Sequence, residues 1–294
     1  MSQPPVVETY PEPPAAALGV VEALGMGWRL MKADFWPLWT VALVLVLLQM
    51  ASSCVPFGYF VAFPPLAAGF VYVLVRRIDG GAVQTGNLFE GFRQRFSESL
   101  LSMLPLLIVW AVSWIAEMVL YFVFFLPVMM LSSSSTGDHE GEMDAMMTVA
   151  FGILGLVVML VSIAVAVFQM FFIFAPMAVW ERPRAGWEAA KDSMRLVRSH
   201  FWSVLGFCLL GFVIFIAAEI AGILACCIGI IFSIPAVCVW LGAAAVYLYR
   251  SYTGQPLVQP VAGGDAAPDL WPLPPQDAGP IPPTSVEPPA GPQR

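Results

Sequence analysis

Long uncharged apolar runs alternate along this chain with short segments that carry its basic residues. The run from Phe35 to Val75 holds no charge. It is about twice the roughly 20 residues that a helix needs to cross about 30 Å of hydrocarbon. Ser52, Ser53, Cys54, Val55, Pro56, Phe57 and Gly58 interrupt it, which predicts two helices and a tight turn. The stretch 100–131 is one long span with a single charge, Glu117, near its middle. The stretch 146–180 holds no charge and has Pro176 near its end. From Ser199 to Tyr249 the only charge is Glu219, and Cys226, Cys227 and Gly229 predict a turn that splits the run in two. Six spans are therefore expected, at 36–54, 57–75, 100–131, 146–180, 202–225 and 228–249. Membrane β-strands would alternate apolar and polar positions over about 10 residues. These runs do not, so the expected class is an all-α integral membrane protein whose helices satisfy their own backbone.

The flanks read differently. Residues 1–18 and 252–294 are rich in Pro with no long apolar run, and both are expected to be disordered tails around a membrane domain at 19–251. Residues 1–17 contain no Lys or Arg and do not have the pattern of a secretory signal.

Two segments before spans match each other without a gap. Glu22, Arg29, Leu30, Lys32 and Phe35-Trp36 align with Glu188, Arg195, Leu196, Arg198 and Phe201-Trp202. Downstream, Gly58 and Pro64 have the same mutual spacing as Gly229 and Pro235. Val21, Leu24, Trp28, Met31 and Phe35 step by three and four residues, as do Trp187, Ala190, Met194, Val197 and Phe201. Each set predicts one apolar face of an amphipathic helix. A weaker third copy starts at Asn87, where Asn87 and Glu90 have capping-box spacing and Phe89, Phe92 and Phe96 form a stripe. The chain thus divides into three parallel units, 19–77, 86–181 and 185–251, each an amphipathic helix followed by a hairpin. Basic amphipathic helices with aromatic residues are expected in the headgroup layer, with Arg29, Lys32, Arg195 and Arg198 as candidate contacts to anionic lipid.

Composition fits this picture. The 294 residues are 59% hydrophobic and 11% charged, against about 25% charged in a typical soluble domain. A net charge of −7 argues against a nucleic-acid partner. Orientation follows from the basic residues. With six spans and both termini in the cytoplasm, all 13 Lys and Arg lie inside, while the acidic loop 132–145 lies outside. The expected location is the cell (inner) membrane.

The arrangement resembles the membrane domain attached to some bacterial glycerophosphodiester phosphodiesterases, and related stand-alone membrane proteins. The residues that carry the resemblance are 187–198 with Phe201-Trp202, then Cys227-Ile228-Gly229, Pro235 and Tyr249-Arg250, together with Leu88-Phe89-Glu90-Gly91-Phe92. It covers roughly 19–251 and implies a membrane location and a fold. The phosphodiesterase activity belongs to a separate domain rich in His and acidic residues, whereas this chain has only His139 and His200.

Chemistry-bearing residues are few. Glu117 and Glu219 are the candidate intramembrane polar site, since an acidic residue in the bilayer usually faces protein or water. Glu219 lies close to the outer end of its span, where contact with water is the simpler expectation. The loop at 139–147 mixes His, carboxylates and Met without the spacing of a defined metal site. Cys54, Cys226 and Cys227 fall at outward turns, where an oxidising exterior permits a bridge. No nucleophile elbow, phosphate loop, paired-His zinc motif or dinucleotide fingerprint occurs, so neither catalysis nor a cofactor is expected. The expected role is that of a structural or accessory protein that binds lipid or a membrane partner. The alternative is a small-solute or ion transporter with Glu117 in its path. A polar lining continuous across several spans would distinguish the second.

Overall fold

A computed structural model describes residues 17–55, 57–134, 140–181, 186–224 and 228–257. The tails, the loop with His139, the 182–185 link and the turn with Cys226 and Cys227 lie outside the described residues. Cys54, at the first turn, is exposed, and a bridge from it to Cys226 or Cys227 would lie outside the described residues.

The described chain is all helical: α1 (Val20–Ala33), α2 (Phe35–Ser53), α3 (Gly58–Ile78), a 3-10 turn (Thr85–Phe89), α4 (Glu90–Arg93), α5 (Phe96–Ser134), α6 (Glu140–Met170), α7 (Ala175–Glu181), α8 (Gly186–Ser199), α9 (Phe201–Leu224) and α10 (Ile228–Thr253). Six stretches are long and apolar enough to cross a bilayer: Phe35–Ser53, Gly58–Ile78, Phe96–Val123, Phe151–Glu181, Phe201–Leu224 and Ile231–Thr253. The chain is a multi-pass membrane protein.

The fourth of these stretches departs from the uninterrupted span expected at 146–180. Residues 171–174 form a turn between α6 and α7. Pro176 has no N–H, so it cannot continue the ladder through its own position, yet it is tolerated in the first turn of α7. Tighter bonds take over, among them Phe171 N–H to Phe168 O at 3.1 Å and Ala175 N–H to Phe172 O at 3.0 Å. The Ser193 hydroxyl of α8 donates to Phe171 O at 2.8 Å. A carbonyl at the break thereby gains a partner that lipid would not supply.

The amphipathic segments do not lie free in the headgroup layer. Each docks on a span through a glycine. α1 runs antiparallel along α10. Leu18 N–H reaches Ser251 Oγ at 3.3 Å near one end, and Trp240 Nε1 donates to Leu24 O at 2.8 Å further along. A Cβ on Gly27 would stand 2.7 Å from Trp240 O. α8 meets α5 where a Cβ on Gly186 would collide with Glu98 O, and α4 meets α3 where one on Gly91 would collide with Pro65 O. Only a hydrogen side chain allows backbones so close.

The buried faces are consequently rotated from those expected. In α1 they comprise Ala23, Leu24, Met26, Gly27, Leu30 and Met31, while Val21 and Trp28 are exposed. In α8 they comprise Gly186, Ala189, Ala190, Ser193 and Val197, with Trp187 exposed. The large aromatics belong to the apolar faces expected at the headgroup layer, whereas close approach to a span selects small residues on the buried side. Trp28 and Trp187 instead lie beneath basic side chains, Lys32 at 5.0 Å and Lys191 at 5.7 Å from the ring centroids. This is the amphiphilic arrangement suited to a bilayer interface.

The capping box at Asn87 and Glu90 does not form. Asn87 is buried in the 3-10 turn and α4 has no side-chain cap. Glu90 instead accepts from Gln94 Nε2 at 2.7 Å.

Candidate functional site

Charged groups from four junctions meet at one end of the bundle. Arg250 near the end of α10 bonds Asp79 through both terminal nitrogens, at 2.6 and 3.0 Å. Its Nε donates to Glu181 Oε1 at 2.6 Å. Arg77 pairs with Asp34, the residue joining α1 to α2. The Arg250 and Glu181 side chains are almost fully buried. Helix ends at Asp34, Asp79, Glu181 and Arg250 thus share one side, as an even number of crossings between them requires. Sequence reasoning used Arg77 and Arg250 for orientation and missed the acidic partners, because nothing local pairs residues 69 and 171 positions apart. A guanidinium that satisfies two carboxylates is a structural clamp. The pairing engages all three of its nitrogens.

The second polar cluster surrounds Glu117. A cavity of about 370 Å³ lies between α3, α5 and α6, lined by Tyr59, Ser113, Glu117, Ser162 and Gln169 among polar residues. Phe60, Trp110 and Trp114 complete an aromatic wall with Tyr59. Tyr59 stacks on Trp110 at 5.8 Å between centroids. Among the described residues no Lys or Arg lines this cavity, and Glu117 makes no hydrogen bond or ion pair.

Glu117 shares its cavity with Tyr59 and Phe60, which immediately follow the α2–α3 turn, and Trp114 also lines a pocket with Ser53, Val55 and Phe57 of that turn. α5 continues apolar for about 25 Å past Glu117. Glu219 is half-buried, and its Oε1 is shielded without a hydrogen-bond partner among the described residues. It does not line the Glu117 cavity.

A larger cavity of about 670 Å³ adjoins the first and shares Trp110, Ala166 and Gln169 with it. Its wall is apolar, with Phe63, Leu106, Ile173, Leu209 and Phe212. Ile163, Val167, Leu209 and Phe212 are 53%, 44%, 59% and 62% exposed, so this cleft opens sideways onto the lipid-facing surface between α6 and α9.

Arg29, Lys32, Arg195 and Arg198 are all exposed, but on different helices that dock on different spans. Arg195 is paired with Asp192 at 3.8 Å. These four do not form one site.

The cavity did leave a trace in the sequence. Trp110, Ser113, Trp114 and Glu117, and likewise Ser162, Val165, Ala166 and Gln169, stand at i, i+3, i+4 and i+7, so each set occupies one helix face. Tyr59 had no such signal, since only the fold brings it opposite. Comparison with protein-family models, with curated proteins and with solved structures finds no match to the chain.

Proposed function

We propose that this chain is a non-catalytic membrane protein, of structural or accessory role, that holds a lipid molecule in the joined cavities beside α5, α6 and α9. The supporting observation is a cavity that carries Glu117, Ser113, Ser162 and Gln169 on an otherwise mostly apolar wall and shares Trp110, Ala166 and Gln169 with an adjoining apolar cleft that opens toward the bilayer. Both volumes fall in the range of about 300–1,000 Å³ common for ligand sites. A lipid has one polar end and one apolar end, and the two cavities divide in the same way. For a solute or ion path the polar lining would have to continue. It gives way instead to the apolar wall of Phe63, Leu106 and Ile173.

The proposed location is the cell membrane, as the resemblance to the phosphodiesterase-associated membrane domain also implies, and the placement of the basic residues supports cytoplasmic termini. In a background without native cysteines, Ser134→Cys is expected to react with an impermeant thiol reagent on intact cells. Thr253→Cys is expected to react only after permeabilisation, and the reverse pattern would overturn this orientation.

The three units are proposed as parallel repeats. α1 and α8 are both 14 residues long, and each is joined to its span by one residue, Asp34 or His200. Each amphipathic segment docks on a span of a different unit: α1 on α10, α4 on α3 and α8 on α5.

Lipid retention is tested by native mass spectrometry of protein released gently from its membrane. One lipid per chain is expected to remain through detergent exchange. Ala166→Trp, which fills the junction of the cavities, is expected to lose it. Ala164→Trp, on the same helix but outside both cavities, is expected to keep it. Equal retention in both variants would show that the lipid sits elsewhere.

A further inference from the structure

The lipid proposed above has a headgroup whose chemistry the small cavity specifies. We infer that the cavity beside Glu117 binds the ammonium headgroup of a lipid, with the acyl chain lying in the adjoining apolar cleft. The inference rests on the lipid-binding reading and adds charge selectivity to it.

Four aromatic side chains, Tyr59, Phe60, Trp110 and Trp114, line the same 370 Å³ cavity as one carboxylate, Glu117. Aromatic faces carry negative potential and attract cations within about 6 Å, most strongly where water is excluded. An alkylammonium is the ligand that gains from both the ring faces and the carboxylate. Ser113, Ser162 and Gln169 offer neutral hydrogen-bond partners to an ammonium bearing N–H groups. A phosphate or carboxylate headgroup would meet Glu117 with like charge. It would find no Lys or Arg among the described lining residues. The basic residues Arg29, Lys32, Arg195 and Arg198 are not part of this lining.

The geometry also places the two ends of the ligand. Trp110 and Gln169 line both cavities, so a chain leaving the headgroup cavity passes between them. It then runs along Phe63, Leu106 and Leu209. The headgroup cavity adjoins the α2–α3 turn, whose Ser53, Val55 and Phe57 line a pocket with Trp114.

The test uses the full chain in phosphatidylglycerol vesicles and two photoreactive probes with the same diazirine-bearing alkyl tail, one ending in trimethylammonium and one in carboxylate. The ammonium probe is expected to label residues of the apolar cleft at least several-fold more than the carboxylate probe. Glu117→Gln and Trp114→Leu are each expected to reduce ammonium labelling about tenfold and leave carboxylate labelling unchanged. Glu188→Gln, an exposed change on α8, is expected to alter neither. Thermal unfolding of each variant confirms that it folds. A Trp114→Leu that misfolds leaves Glu117→Gln to decide, since Gln preserves shape. Equal labelling by both probes, or unaltered labelling in Glu117→Gln, would overturn the headgroup assignment while leaving lipid binding intact. Absence of cleft labelling by either probe would overturn both.

Discussion

Arg250→Leu is expected to destabilise the purified protein by about 3–5 kcal/mol, because it strands the buried Glu181 carboxylate and the partly buried Asp79 carboxylate without their shared cation. Arg250 is 4% exposed and holds Asp79 and Glu181 together. Glu181 Oε2 already lacks a hydrogen-bond partner among the described residues, and the neighbouring Gln255 side chain carries no charge to replace the guanidinium. Arg250→Lys is expected to recover only part of the loss. An ammonium keeps the charge but cannot reproduce the planar fork that bonds Asp79 twice and Glu181 once. The exposed pair of Arg195 with Asp192, at 3.8 Å, serves as the contrast. Arg195→Ala is expected to cost less than about 1 kcal/mol. Denaturant or heat unfolding in one detergent orders the three variants. Equal stability of Arg250→Leu and the parent protein would show that the clamp contributes nothing.

The second large effect belongs to the glycine contacts. Gly91→Ala would drive its Cβ into the Pro65 carbonyl oxygen and to 2.9 Å from Gly69 N. The obstacle is backbone on both sides, so a side chain cannot swing away to relieve it. The expected cost is about 1–3 kcal/mol or more, as for other overpacked contacts. Gly25→Ala provides the opposite case. No atom lies within 4 Å of its built Cβ, and alanine favours a helix by up to about 1 kcal/mol. The two substitutions are chemically identical and are expected to move the unfolding midpoint in opposite directions. A fall of similar size in both would mean that α4 does not approach α3 as described.

The spans were legible because lipid leaves a helix few alternatives. Long apolar runs and their polar breaks located six crossings to within a few residues at most ends. What was not legible came from two sources. Apolar length cannot say which turn a position lies beside, so nothing in the run around Glu117 pointed to the α2–α3 turn that Tyr59 and Phe60 follow. Periodicity identifies a face but not what meets it. The stripes through Trp28 and Trp187 marked the apolar faces, but not that the backbones approach a span through Gly27 and Gly186 and leave the indoles outside. The cavity faces at 110–117 and 162–169 were present as spacing. Serine and glutamine are unremarkable in a sequence until α3 brings Tyr59 and Phe60 across from them.

The docking of α1 on α10 has a consequence for the order in which the molecule is made. Residues of the first helix wait for partners more than 200 positions later, such as Leu24 for Trp240. While the ribosome is still producing the middle of the chain, the face with Leu24, Leu30 and Met31 has nothing of its own protein to cover it. An amphipathic helix in that state rests on the membrane surface. The N-terminal segment thus begins as a surface helix and becomes an integral part of the bundle only when the last span arrives. Until then the two ends of the nascent chain are not joined, and a chain released before Trp240 has no means of closing.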